Sequence, residues 1–126
     1  MNIISTNKLY DSAILRKDIS LLKKKYPFLN IQIIGFSTLG IPIYVLKLGK
    51  GSKHVFYSAS FHANESITTN LLMKFVEDYC IAYNNDSTLY NYSVKKIYND
   101  CSIFVIPMVN PDGIGLIFIG YFLFLF

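Results

Sequence analysis

Tryptophan is missing from this chain, and arginine occurs once, at Arg16. Two cysteines and two histidines, His54 and His62, are all that 126 residues offer of those types. Two cysteines cannot staple a disulfide-dense secreted scaffold, and they cannot make a four-cysteine zinc site. The +4 charge rests on eleven lysines and one arginine. Nucleic-acid readers lean on arginine forks, so this balance describes a lysine-dressed surface and no nucleic-acid partner. Charged residues are only 16% of the chain and hydrophobic ones 52%, which excludes intrinsic disorder. A chain of this length is one domain and can bury roughly two-thirds of its unfolded surface. Met1 to Tyr10 shows no basic stretch followed by an apolar one, so no secretory signal is read and the expected location is cytoplasmic. A membrane span needs about 17–25 apolar residues; the uncharged run Ile114–Phe126 has thirteen.

Periodicity outlines the elements. Leu15, Ile19 and Leu22 recur at helical spacing within Tyr10–Lys25, with Asp11 or Ser12 to cap the start and Pro27 to stop it. Ile31–Phe36 and Ile43–Leu48 read as an antiparallel strand pair, with Gly35, Gly40 and Pro42 punctuating the link. Lys50–Lys53 is a turn. His54–Phe61 is a short apolar run that suits a strand buried on both faces. Ile67, Leu71, Phe75 and Tyr79 then mark a helix over Ser66–Tyr83, with Glu77 and Asp78 read as its solvated face. A short helix fits Ser93–Tyr98. Ser102–Val109 is a second buried strand, closed by Asn110-Pro111-Asp112-Gly113 as a turn. Strand, helix, strand with a long crossover predicts a parallel pair. The fold class is therefore α/β, a mixed sheet flanked by helices.

In such sheets ligands bind beyond the carboxyl ends of the strands. Two polar clusters fall there: Phe61-His62-Ala63-Asn64-Glu65, and Asn110-Pro111-Asp112-Gly113. His62 and Glu65 are three residues apart at a strand-to-helix junction, so an imidazole nitrogen and a carboxylate can converge. Zn²⁺ takes both donor types. A lone HxxE is common and usually only surface polarity; the position at the end of a strand is what singles this one out. Asp112 is either a turn aspartate bonded to its own backbone or the carboxylate that orients His62. His54 lies eight residues before His62, roughly 26 Å along an extended strand, and cannot share its metal. Cys80 and Cys101 sit in apolar contexts as reduced core thiols. Ser58, Ser60 and Ser66 have no aspartate–histidine relay, and no GxSxG elbow occurs.

Three segments in order carry a resemblance: Gly35-Phe36-Ser37-Thr38-Leu39-Gly40-Ile41-Pro42-Ile43, His62-Ala63-Asn64-Glu65-Ser66-Ile67-Thr68, and Pro107-Met108-Val109-Asn110-Pro111-Asp112-Gly113. Together they resemble the N-terminal part of carboxypeptidase A-like zinc metallocarboxypeptidases, over about residues 10–113. The resemblance implies a sheet of about eight strands between helices, of which this chain is an incomplete N-terminal half. It implies a zinc peptidase acting on peptides, with one zinc ion held by two histidines and a glutamate. His62 and Glu65 match the first two ligands, and Asp112 matches the aspartate that orients the first histidine. Asn64 stands where digestive members carry an arginine, which makes it the candidate substrate-binding position. That residue tilts the likeness toward bacterial γ-D-glutamyl-diaminopimelate peptidases, which cut peptidoglycan peptides. Ser66 replaces a common tryptophan, and Ile41 a common arginine. The third ligand, the downstream arginine and tyrosine, and the general-base glutamate have no counterpart among the residues present, so no catalytic residue is assigned.

The composition breaks at Gly113. Residues 1–113 read as the partial domain, and 114–126 as an apolar tail in which polar content vanishes. A frameshifted or truncated end would look this way, and the chain alone is then expected to be inactive. A rival reading is a non-catalytic binding protein that uses the tail for self-association or membrane contact. A third is a complete small fold, closed by a hairpin of Ser102–Val109 with Ile114–Phe122.

Overall fold

A computed structural model describes residues 1–124 of the chain. The first helix, α1 (Ser12–Lys25), starts where Asp11 accepts a hydrogen bond from the Ile14 amide at 2.8 Å. Its last turn holds Lys23, Lys24 and Lys25, cations suited to the negative end of the helix dipole. Leu15, Ile19 and Leu22 form its buried face. The strands β1 (Asn30–Phe36) and β2 (Pro42–Gly49) pair antiparallel, with a register shift between Ile33 and Gly35. Next come β3 (Lys53–Ser58) and α2 (Ser66–Asn84). A small hairpin, β4 (Thr88–Leu89) and β5 (Tyr92–Ser93), leads into α3 (Val94–Asp100) and β6 (Cys101–Ile106).

The main sheet runs β1-β2-β6-β3. β2 and β6 are antiparallel, whereas β6 and β3 are parallel, as the crossover spacing requires. Gly49, at the end of β2, has φ +98, and a Cβ there would lie 2.1 Å from the Cys101 carbonyl oxygen. Only glycine lets β2 pass the start of β6 so closely.

Residues directly opposite in a ladder share a face. Leu46, Val105 and Tyr57 align on one face, as do Leu48, Ile103 and Val55. Leu15, Ile19 and Leu22 of α1 and Met73, Val76 and Tyr79 of α2 join Leu46, Leu48, Ile103 and Val105 in one core. The other face carries Lys47, Phe104 and Phe56 in register. Phe56 stacks on Phe104, centroids 4.8 Å apart, and is still 67% exposed. The expectation that this strand is buried on both faces is therefore corrected. β3 stops at Ser58, stands at the sheet edge, and shows one aromatic face to solvent. An unbroken apolar run marks sheet membership, but it does not say how many faces are covered.

Two further expectations change. Asn110-Pro111-Asp112-Gly113 is the start of a helix, α4 (Pro111–Phe124), and not a turn. The Asn110 side chain accepts from the Gly113 amide at 2.9 Å, Pro111 takes the first helical position, and Asp112 sits in the first turn. A Cβ on Gly113 would come 2.5 Å from the Asn110 side-chain nitrogen, so the cap needs glycine there. The tail is helical, which removes the third reading, a hairpin strand over 114–122; a run apolar at every position carries no period to distinguish the two. Residues 125–126 of that tail lie outside the described residues. Ile114 is fully buried in the core, whereas Leu116 and Ile119 are exposed. Among the described residues, no helix is long and apolar enough to cross a membrane.

A further correction concerns Glu77. It is fully buried and not part of a solvated face. Its carboxylate accepts from the Ile3 amide at 2.5 Å and the Ile4 amide at 3.0 Å, which straps the N-terminal segment to α2. Spacing explains it: Met73, Glu77 and Cys80 fall on one helix face. A second buried carboxylate, Asp18, accepts from the Tyr10 hydroxyl at 2.5 Å. Burial, followed by Asp18, pushes the Tyr10 hydroxyl far above the usual tyrosine range, so it stays a donor. Tyr10→Phe should cost about 1–3 kcal/mol, the cost of leaving a buried acceptor unpaired. Chemical denaturation checks this against Leu9→Ala at an exposed neighbour, which should change stability by less than about 0.5 kcal/mol.

Candidate metal site at the sheet edge

The site begins with backbone pairing that outlasts the strands. Past the last β3–β6 pair, Ser58 with Ile106, the Ala59 amide donates to the Ile106 carbonyl. The Val109 and Asn110 amides then donate to the carbonyls of Ala59 and Ser60, at 3.0 and 2.9 Å. Both polar clusters are thus tied together at the carboxyl ends of the parallel strands. The β1–β2 loop reaches the same edge, because β2 runs antiparallel to β6. There the Leu39 amide donates to Asp112 Oδ2 at 3.1 Å. All three segments singled out in the sequence meet at one edge.

Hydroxyls shape the loop that carries His62. Ser60 adopts φ +55, a left-handed conformation uncommon for serine. Its amide donates to Thr68 Oγ1 at 3.0 Å, and its hydroxyl donates to the Glu65 carbonyl at 2.9 Å. The Thr69 hydroxyl donates to the Pro107 carbonyl at 2.5 Å, linking α2 to the segment after β6. The Asn110 side chain donates to the Phe61 carbonyl at 3.1 Å. The sequence alone raises Ser60 only as a candidate nucleophile, and it does not mark Thr68, Thr69 or Asn110 for this role. Paired threonines one turn into a helix that follows a strand end are the signal it passed over.

Glu65 occupies the N-cap position of α2, yet its side chain does not cap the helix. It turns back to His62 instead: Oε1 lies 2.8 Å from Nδ1, and Oε2 accepts from the His62 amide at 3.3 Å. The imidazole bond first, then the backbone bond, holds the Glu65 carboxyl below the usual carboxylate range. Glu65 is therefore ionised at neutral pH, and the pairing is lost as pH falls through its lowered pKa. The His62 and Glu65 side chains are 77% and 39% exposed, so the pair opens to solvent.

Asp112 shares the edge but does not hydrogen-bond to His62. Oδ2 goes to Leu39, and Oδ1 is buried with no partner among the described residues. Asn64 is exposed beside a cleft of about 100 Å³ that also involves Ile117 and Phe118 of α4. His54 is on β3 against Phe104, away from the loop. Burial pushes the Cys80 thiol up to about 12, which leaves it unreactive at neutral pH.

The donor set suits zinc in part. Two donors about 2.0–2.1 Å from a tetrahedral ion stand roughly 3.3 Å apart. The 2.8 Å pair of His62 and Glu65 needs to open by only about half an ångström to admit one. Among the described residues, no three His, Cys, Asp or Glu side chains gather to hold a metal. The edge thus presents one paired imidazole and carboxylate, His62 and Glu65, as candidate donors.

Comparison with known proteins shows the family and the fold. The chain is 42% identical over 118 residues to gamma-D-glutamyl-L-diamino acid endopeptidase 1 of Lysinibacillus sphaericus, covering 94% of this chain and 30% of that protein. It is 26% identical over 91 residues to a zinc carboxypeptidase of Saccharothrix mutabilis subsp. capreolus, covering 68% of this chain and 20% of that protein. The chain therefore spans a third or less of these relatives. In fold it resembles bovine thrombin-activatable fibrinolysis inhibitor, with TM-score 0.70, 22% identity, and 86% of this chain and 33% of that one covered. Carboxypeptidase A of Helicoverpa armigera gives TM-score 0.69 at 21% identity, covering 86% and 26%. The zinc carboxypeptidase family matches residues 15–119, which runs six residues past Gly113 into the apolar tail, and the chain belongs to that family.

Proposed function

We propose that this chain carries the first two zinc ligands, His62 and Glu65, of a metallopeptidase acting on peptides, with γ-D-glutamyl peptides of peptidoglycan type as the substrate class. The observation that carries the reading is the 2.8 Å His62–Glu65 pair at the carboxyl edge of a parallel strand pair, in a chain of the zinc carboxypeptidase family. Similarity to an enzyme named for γ-D-glutamyl-L-diamino acid cleavage supports the substrate class.

His62 and Glu65 would hold the zinc, which would supply Lewis-acid polarisation of a scissile carbonyl and activation of water. The chain's own residues do the rest of what can be derived. Glu65 presents an ionised carboxylate at neutral pH. The Ser60, Thr68 and Thr69 hydroxyls fix the loop that carries both donors. Asp112 Oδ1, buried and unpartnered, is the acceptor for a His62 ring N–H once the other ring nitrogen serves the metal. Asn64, exposed between the two ligands, contacts substrate. Two protein donors leave half of a tetrahedral shell to water, where catalytic sites normally supply three protein ligands. We read the 126-residue chain on its own as a weak zinc binder without turnover.

Calorimetry with zinc and peptidase assays on one γ-D-glutamyl-diaminopimelate peptide test both halves. Weak binding is expected for the full chain, abolished by His62→Ala, unchanged by His54→Ala, and diminishing on acidification because the ligands must be deprotonated. No hydrolysis by the chain alone is expected. Zinc binding that survives His62→Ala would overturn the ligand assignment. Chelator-sensitive turnover by the purified chain would overturn the inactivity.

A further inference from the structure

A groove of about 250 Å³ lies between the N-terminal segment and the start of α2. Thr6, Lys8 and Leu9 line one side, and Ser66, Ile67 and Asn70 the other. Leu9 and Ser66 also line the smaller cleft beside Asn64, so the groove continues from the edge that carries His62 and Glu65. Ser66 to Asn70 is about one helical turn, roughly 6 Å, which about two residues of extended peptide would span. Two buried side chains of α2 build the groove. Glu77 accepts from the Ile3 and Ile4 amides, and the Asn70 side-chain N–H donates to the Ser5 carbonyl at 2.8 Å. Those bonds lay the residues that follow against the first turns of the helix.

Three features give the groove a definite chemistry. Asn70 is 4% exposed, and its bond to Ser5 fixes which way the amide faces. Its Oδ1 then accepts no hydrogen bond among the described residues, and unlike Asp112 Oδ1 it is not sealed from solvent. Asn70 lines the groove, so this oxygen is an acceptor open to it. Second, Lys8 is the one charged side chain in the lining. It makes no ion pair among the described residues, where Lys74, Lys95 and Lys96 each have a carboxylate. Third, Ser66 and Ile67 open α2, and Glu65 does not cap it, so the positive end of a 19-residue helix adjoins the groove. A cation, an uncapped helix start and a lone acceptor, flanked by the exposed side chains of Leu9 and Ile67, suit a peptide with a free carboxylate, backbone N–H groups and an apolar stem.

We propose that this groove is an extended substrate subsite, in which Lys8 holds a free carboxylate of a bound peptide about two residues beyond Asn64 and Asn70 Oδ1 accepts from one of its N–H groups. The peptide class rests on the function proposed above, whereas the groove is built from residues outside the metal pair.

Titration of the full chain, without zinc, with a γ-D-glutamyl-diaminopimelate peptide tests this by ¹⁵N–¹H NMR. The comparison ligand is the same peptide with its carboxylates converted to primary amides. The free acid should give saturable shifts at Lys8, Leu9, Ser66 and the Asn70 side-chain amide. It should bind about fivefold tighter than the amide form, the upper value of an exposed charge pair. Lys8 is exposed, so Lys8→Gln should fold. It should erase that preference and leave the amide form bound as before, and Lys8→Arg should restore the preference. Lys24→Gln removes the same charge from an exposed position on α1 and should leave the preference intact. A preference that persists in Lys8→Gln, or that falls equally in Lys24→Gln, overturns the proposal, as do shifts that fail to saturate or that centre elsewhere. His62→Ala keeps this proposal apart from the metal assignment. Groove shifts that persist in that variant uphold the subsite with the metal ligand gone, and zinc binding at His62 without groove shifts overturns the subsite alone.

Discussion

The parallel pairing of β3 with β6 is the constraint on which the rest of the molecule depends. Six residue pairs, from Lys53 with Cys101 to Ser58 with Ile106, fix the register. Three more backbone bonds carry that register into the loops, through Ala59, Val109 and Asn110. A one-residue slip would flip Val55 and Tyr57 out of the core face and Phe56 into it. It would also pull the His62 loop away from the start of α4. The helices on one face of the sheet enforce the register, because Leu46, Leu48, Ile103 and Val105 must all meet α1 and α2. Hydrophobic burial far from the edge thereby places the polar groups that lie on it.

The candidate site shows how an exposed imidazole and carboxylate hold one another at a sheet edge. An ionised carboxylate and an imidazole that would otherwise face water satisfy one another across 2.8 Å. The arrangement keeps Glu65 from capping α2, while the Thr68 hydroxyl donates to the Glu65 carbonyl and accepts from the Ser60 amide, tying the loop to the first turn. Polar groups that could have stabilised the helix are directed toward the open edge. Asp112 is similarly divided, with one oxygen fixing the β1–β2 loop and the other buried without a partner.

The four strands of the main sheet, helices α1 and α2, the antiparallel β1–β2 pair and the parallel β3–β6 pair were legible because each rests on a local period or a connection length. The edge that gathers the 61–65 and 110–113 clusters was legible for the same reason, whereas the arrival of the β1–β2 loop there was not. Three further things were not. Asn110-Pro111-Asp112-Gly113 has the composition of a turn and of a capped helix start alike, and only the Asn110–Gly113 bond decides between them. Burial of a strand face depends on which elements lie over it, and nothing in His54–Phe61 records that. Glu77 could have been read: it falls on the buried stripe of α2, and a buried carboxylate there required a partner, which the Ile3 and Ile4 amides supply. The hydroxyl network behind His62 was hidden because serine and threonine announce no role until their neighbours are known.

Paramagnetic NMR with cobalt(II) as a zinc substitute tests the central claim most directly, because it maps distance from a bound ion without requiring turnover. If the sheet edge is the metal site, relaxation enhancement centres on His62 and Glu65. It extends to the amides of Leu39 and Asp112, and His54 on β3 stays sharp. Enhancement centred on His54, or scattered over the surface carboxylates with no maximum at His62, would contradict the account.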